Sequence, residues 1–314
     1  MAYDLKNRLV IGLSSSALFD LSESDKVFRD KGEKFYRLYQ RQKQDEVLEK
    51  GRAFNFIWRL LSLNVISPES PLVEVILLSK NDPDTGLRVM NSIKYYGLDI
   101  TRAVFLQGGF PHRYISAFNI SLFLSASESD VKLAVDSGLP AGQVLNNRPR
   151  LFQDDEGDEL RIAFDFDGVI ADDESKLVFR KYGLDAFQEN EASKVDIVHQ
   201  PGLLKTLLDK LSKIQRYEQK YAVKNPNYTK KIRISIVTAR NAPAHERVIK
   251  TMRSWGITVN EAFFLGGVEK NAVLEVLRPH IFFDDQLTHA NPASEIVPAV
   301  HIPFGIANQS IRTE

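Results

Sequence analysis

The stretch Arg161-Ile162-Ala163-Phe164-Asp165-Phe166-Asp167-Gly168-Val169 reads as a short apolar strand that runs straight into two carboxylates and a glycine. Three further segments around it have the same character: residues 232–238, 262–265 and 280–283 are short, apolar and partly β-branched, as buried parallel strands are. Helical patterns lie between them, at residues 203–217 and at 244–255, the latter stopped by Gly256. Strands alternating with helices imply an α/β fold, a parallel sheet covered on both faces. In such sheets ligands collect at the carboxyl ends of the strands. Each predicted strand here ends in polar chemistry: Asp165 and Asp167, then Thr238-Ala239-Arg240-Asn241, then Gly266-Gly267-Val268-Glu269-Lys270, then Asp284-Asp285.

The same pattern recurs in the first half. Ser14-Ser15-Ser16-Ala17-Leu18-Phe19 aligns with Asp165-Phe166-Asp167-Gly168-Val169-Ile170 at an offset of 151, which also pairs Val27-Phe28-Arg29 with Val178-Phe179-Arg180. An offset of 159 then pairs Ser79 with Thr238, Gly97 with Gly256, Phe105-Leu106 with Phe264-Leu265, and Phe123 with Phe282. Two blocks in the same order point to internal duplication, giving two Rossmann-like three-layer halves, residues 1–150 and 151–314. Residues 145–158, with Asn-Asn, Arg-Pro-Arg and an acidic run, read as an exposed linker. Residues 217–231 read as a surface excursion. At the matched positions of the first half, Asp165, Asp167, Lys270, Asp284 and Asp285 give way to Ser14, Ser16, Pro111, Ser125 and Ala126. A half without carboxylates has neither a nucleophile nor a metal site, so it is expected to be catalytically silent, either shaping a pocket or supporting its neighbour.

Composition excludes several classes. Forty-one basic side chains balance 41 acidic ones, leaving no global field for nucleic acid or a charged membrane surface. The absence of cysteine rules out thiolate metal sites and cysteine nucleophiles. The apolar stretch after Lys6 and Arg8 is broken by three serines and reads as a strand and its exit loop, so a cytoplasmic location without membrane contact is expected. A homo-oligomer is compatible with this composition.

Two carboxylates ending one strand and two ending another would repel in a cleft unless a cation joined them. An all-oxygen set suits magnesium, and the lack of clustered histidine and cysteine argues against zinc. An aspartate can also act as a nucleophile, splitting a hydrolysis into two easier steps if a neighbouring acid protonates the leaving oxygen. Gly168 allows backbone N–H groups to approach a phosphate.

Over residues 160–290 these four motifs resemble the haloacid-dehalogenase superfamily. The resemblance implies that Asp165 attacks phosphorus and ligates magnesium, and that Asp167 acts as acid and base and lends its carbonyl to the metal. It further implies that Thr238 binds the phosphoryl group, Lys270 offsets charge, and Asp285 completes the metal site with Asp284 as the competing ligand. A cap insertion is expected at about 172–200. A closer resemblance, over nearly the whole chain, is to the cytosolic 5'-nucleotidase type I family and its bacterial relatives, which implies a nucleoside 5'-monophosphate substrate. Phe166 stands where that family often has glycine. A phosphatase acting on sugar phosphates, or a non-catalytic nucleotide-binding protein, is the rival reading.

Among lesser candidates, Arg240 and Asn241 are placed to meet a phosphate or base, together with Gly168, Thr238 and Lys270. Phe179, Tyr182, Phe187 and Glu189 would fold or line the cap. Asp172 and Asp173 read as a solvated turn, His245 as a surface residue, and His289 as a neighbour of the fourth motif.

Overall fold

Ten strands form one continuous sheet: β1 (Leu9–Leu13), β2 (Val73–Ser79), β3 (Arg102–Phe105), β4 (Leu122–Ser125), β5 (Ala141–Val144), β6 (Leu160–Phe164), β7 (Ile232–Thr238), β8 (Glu261–Phe264), β9 (Ile281–Asp284) and β10 (Ala299–His301). The computed structural model describes residues 3–147 and 157–309. The strand order is β3-β2-β1-β4-β5-β10-β9-β6-β7-β8. It reads alike from both ends, with β3 answering to β8, β2 to β7, β1 to β6 and β4 to β9. Strands run parallel within each half, and the two halves meet where β5 pairs antiparallel with β10, Val144 opposite Val300 and Gln143 opposite His301.

The strand bounds keep the offsets read from the sequence: β1 and β6 are displaced by 151, and β2, β3 and β4 are displaced from β7, β8 and β9 by 159. Even the interruption of the helical insertion recurs. In the second half the helix Glu174–Ser193 is broken at Gly183 (φ 82°), and in the first half Gly32 (φ 78°) separates the helices Ser22–Lys31 and Glu33–Gln42. Both glycines take a backbone conformation that costs a side chain dearly.

The inner strands β1, β4 and β9 are buried and mostly apolar because helices cover both faces, whereas the edge strands β3 and β8 begin with Arg102 and Glu261 and are only partly buried. Alternate residues of β6 divide accordingly: Leu160, Ile162 and Phe164 join a cluster with β1, β2 and the helices Phe54–Ser62 and Lys205–Lys224, whereas Ala163 faces Val237, Phe282 and the helix Leu287–Ser294. The first of these clusters runs unbroken through both halves. Arg59, fully buried on the helix Phe54–Ser62, donates to the carbonyls of Gly157 and Glu159, tying the first half to the strand that leads into the site.

One expectation needs correction. Residues 217–231 are not simply a surface excursion, because the helix beginning at Lys205 runs on to Lys224. The loop after it is anchored by the buried Glu218, which accepts from the Tyr228 hydroxyl (2.9 Å) and the Lys231 N–H (2.6 Å). Strands β5 and β10 were not anticipated. Most of the expected linker, residues 148–156, lies outside the described residues. Among the described residues no helix is long and apolar enough to cross a membrane.

Candidate active site

Asp165 follows β6 directly, and its N–H donates to the Phe283 carbonyl of β9, so the two strand ends that carry carboxylates are locked side by side. Asp165, Asp284 and Asp285 are all buried, and one carboxylate oxygen from each falls within 4.8 Å of the others. Such a cluster needs cations, and two ammonium groups supply them.

Lys270, at the start of the helix Lys270–Leu277, places Nζ 3.1 Å from Asp165 Oδ1 and 2.6 Å from Asp284 Oδ2. Burial works against its charge, but Asp165 and Asp284 outweigh burial and raise its pKa. The second ammonium belongs to Lys176, which sequence reasoning did not single out. Its Nζ lies 3.5 Å from Asp165 Oδ2, 2.7 Å from the Asp167 carbonyl and 2.5 Å from Asp285 Oδ1. Burial disfavours this charge too, and Asp165 and Asp285 reverse the effect.

The groups around Lys176 are two carboxylates and a backbone carbonyl, a donor set suited to a hard divalent cation. The ammonium stands in for such an ion. Asp285 Oδ2, buried, has no hydrogen-bond partner among the described residues. Burial, with Asp165 and Asp284 nearby, pushes the Asp285 carboxyl up to about 7 despite the pull of Lys176. Asp284 goes the other way: Lys270 and His289, whose Nδ1 is 3.5 Å away, overcome burial and hold it well below the usual carboxylate range. Asp285, with Asp165 and the Asp167 carbonyl, surrounds the Lys176 ammonium while Asp284 is engaged by Lys270, and these oxygen donors fit a hard divalent cation.

Gly168 (φ 75°) turns the chain immediately beneath Asp285, and a Cβ there would collide with the Asp285 carboxylate. Its N–H already donates to the Ala171 (3.0 Å) and Asp172 (3.2 Å) carbonyls. Thr238 ends β7 fully buried, its hydroxyl oxygen 3.4 Å from the Arg240 N–H. Asn241 lies against Gly266, at the turn that follows β8.

A family model described as 5'-nucleotidase matches residues 1–309. The chain belongs to the 5'-nucleotidase family. Among curated proteins, human cytosolic 5'-nucleotidase 1B is 33% identical over 297 residues, covering 93% of this chain and 48% of that protein. The chain thus spans about half the length of this relative. Among solved structures, histidinol dehydrogenase from Elizabethkingia anophelis aligns with 78% of this chain and 48% of its own at 9% identity, with a TM-score of 0.20, too slight a likeness to bear on the fold.

In this 5'-nucleotidase family chain, Asp167 and Arg240 meet in a way the sequence did not suggest. Arg240 Nε and Nη2 donate to the two oxygens of Asp167 at 2.7 and 2.6 Å, a bidentate pair that is almost wholly buried. Burial would raise the Asp167 pKa, and Arg240 more than cancels it. Arg240 is thereby committed to Asp167 and, on its other side, to Glu191, instead of being presented to a ligand. Glu191 also accepts from Arg247 Nη1 (2.8 Å) and the Ser175 hydroxyl (2.7 Å), with His199 Nε2 at 3.4 Å. Phe166 is fully buried beneath this network, its ring edge-on to His199 and under the Arg240 guanidinium.

Of the remaining candidates, Phe187 reaches the site, its ring centre 5.4 Å from the Arg240 guanidinium. Phe179 and Tyr182 are exposed, at 52% and 71%, while Phe187 packs against Phe179. Asp173 accepts the Ile306 N–H at 2.5 Å and fastens the C-terminal segment. His245 stacks edge-on against Phe264.

Proposed function

We propose that the chain hydrolyses nucleoside 5'-monophosphates to nucleoside and phosphate, with a divalent cation, magnesium, as cofactor. The observation that carries this reading is the convergence of two ammonium groups, those of Lys176 and Lys270, on the buried Asp165 carboxylate in a chain of the 5'-nucleotidase family. The name of the human relative adds a cytosolic location, which we extend to this chain.

The step follows from the residues. An Asp165 oxygen forms a bond to phosphorus as the bond to the nucleoside 5' oxygen breaks, and that oxygen leaves with a proton from Asp167. Water then attacks the aspartyl-phosphate, the acyl-phosphate P–O bond breaks, Asp167 receives the water proton, and phosphate departs from a restored Asp165. Lys270 orients Asp165 and meets the charge on the phosphoryl oxygens, while Thr238 fixes their position. Asp165, the Asp167 carbonyl and Asp285 would hold magnesium, with Asp284 behind them on Lys270; when bound, the ion neutralises phosphoryl charge. In the geometry described, Asp167 is held as a carboxylate by Arg240, so its proton-carrying role requires it to leave that partner.

The first half, residues 1–150, has no counterpart of these carboxylates and belongs to the reading as a silent partner of residues 151–314. The test is phosphate release from a panel of nucleoside 5'-monophosphates, sugar phosphates and p-nitrophenyl phosphate, with magnesium or EDTA. Magnesium-dependent turnover favouring nucleotides, reduced by about a thousandfold or more in Asp165→Asn, is the expected result. Preference for sugar phosphates would overturn the substrate, and an active Asp165→Asn protein would overturn the mechanism.

A further inference from the structure

The first half has a cavity of about 990 Å³ at the carboxyl ends of its own strands, lined by residues that follow β1, β2 and β4. It occupies the place in that half that the carboxylate cluster occupies in the other. What has changed is the charge. The four acids at the strand ends of the second half are replaced by Ser14, Ser16, Ser125 and Ala126, and the lining as a whole carries equal numbers of basic and acidic side chains. The buried Asp167–Arg240 ion pair has been lost as a pair: its matched positions are Ser16 and Asn81.

These replacements leave hydrogen-bond donors where there were anions. The hydroxyls of Ser14 and Ser16 lie 3.0 Å apart, and Ser127 caps the helix Glu128–Asp136 at the same mouth. Asn81 accepts the Tyr36 hydroxyl through Oδ1 (2.8 Å), while its buried Nδ2 has no hydrogen-bond partner among the described residues. Lys80, paired with Asp130 at 2.6 Å, is half exposed beside it. Hydroxyls, an amide N–H and an ammonium together suit a phosphate, and among the described residues the lining carboxylates Asp20, Asp25, Glu49 and Asp130 do not converge as a cluster of three. Phe19, Leu21 and Tyr36 give the same cavity an apolar wall. Asp25, standing where the second half has Lys176, supplies an acceptor for a sugar hydroxyl.

We propose that this cavity is a second nucleotide site, binding a nucleoside 5'-monophosphate without metal and without hydrolysing it. The ligand class rests on the substrate reading given above; the site rests on the cavity and its donors. In the second half, phosphate binding should need the cation because four carboxylates surround the place it would take. In the first half it should not.

The experiment is calorimetric titration of the full-length Asp165→Asn protein in EDTA with adenosine 5'-monophosphate, adenosine and inorganic phosphate. One equivalent of adenosine 5'-monophosphate per chain should bind, more tightly than adenosine. Restoring a carboxylate with Ser16→Asp or Ser125→Asp should weaken it by roughly tenfold or more through like-charge repulsion, and Asn81→Ala, which adds no charge, should weaken it as well. No binding in EDTA, adenosine binding as tightly as its monophosphate, or affinity untouched by all three substitutions would each overturn the proposal. Magnesium-dependent hydrolysis by the otherwise wild-type chain is measured alongside, so a protein that hydrolyses nucleotides but binds none in EDTA loses only the second site. One that binds in EDTA but hydrolyses no nucleotide loses only the catalytic reading.

Discussion

On the proposed reading Lys176 shares its place with the dication, since its ammonium meets Asp165, Asp285 and the Asp167 carbonyl. Lys176→Met should therefore destabilise the protein in EDTA, by about 3–5 kcal/mol if the carboxylates stay ionised, and magnesium should restore more stability to the variant than to the wild type. Thermal melts with and without the ion measure this, and an equal magnesium response in both proteins would show that Lys176 and the cation do not share one place. Gly168→Ala tests the opposite wall. With φ at 75° and the Asp285 carboxylate against the new methyl, magnesium affinity should fall while the rest of the fold persists. Titration calorimetry reads it directly, and unchanged affinity would contradict the close packing. The strand-end residues Asp165, Asp167, Thr238, Lys270, Asp284 and Asp285 were legible because each stands at a fixed step from an apolar strand. Lys176 was not. A lysine within a helical stretch carries no pattern of its own, and only folding brings it back over the strand ends.

The helix Glu174–Ser193 owes its position to one buried carboxylate near its end, Glu191, which gathers Arg240, Arg247, Ser175 and His199. Burial would raise the Glu191 pKa, but His199 and Arg240 hold it far below its ordinary 4.5. A carboxyl so depressed contributes stability that is fully present above pH 4.5 and lost as pH falls through and below that value. His199, by contrast, is raised above 6.5 because Asp172 and Glu191 overcome its burial, and its contribution is present below 6.5 and fades as pH rises through its folded-state pKa. Stability from this network should therefore peak between those two values, and Glu191→Gln should flatten the acid limb of a melting-temperature profile. An acid limb as steep in the variant as in the wild type would count against it. Arg240→Met, which leaves Asp167 and Glu191 buried without their shared partner, should cost about 3–5 kcal/mol, checked by denaturant unfolding. The insertion was expected from the family resemblance, but its anchoring was not legible, since Glu191, His199 and Arg247 come from three separate elements. Residues 217–231 were misread for a related reason: their lysines, asparagines and tyrosines look like loop, and the buried Glu218 that secures them carries no local signal.

Across the whole molecule, one apolar cluster crosses from half to half, and β5 and β10 close the sheet between them. Unfolding of the full chain should accordingly follow a single cooperative transition, with calorimetric and van't Hoff enthalpies in agreement; two resolved transitions would mean that the halves are energetically separate. Most of the sheet could be read from the repeat, since eight of its strands fall on the two offsets. The pair at the centre could not, because β5 and β10 are short and their partnership joins residues far apart in the chain. That central pairing relates the halves as a two-fold axis relates the subunits of an isologous dimer. In such a dimer every substitution is made twice, and both pockets must tolerate it. Carried on one continuous polypeptide, each pocket answers only for itself, so one can hold four acids where the other holds three serines and an alanine.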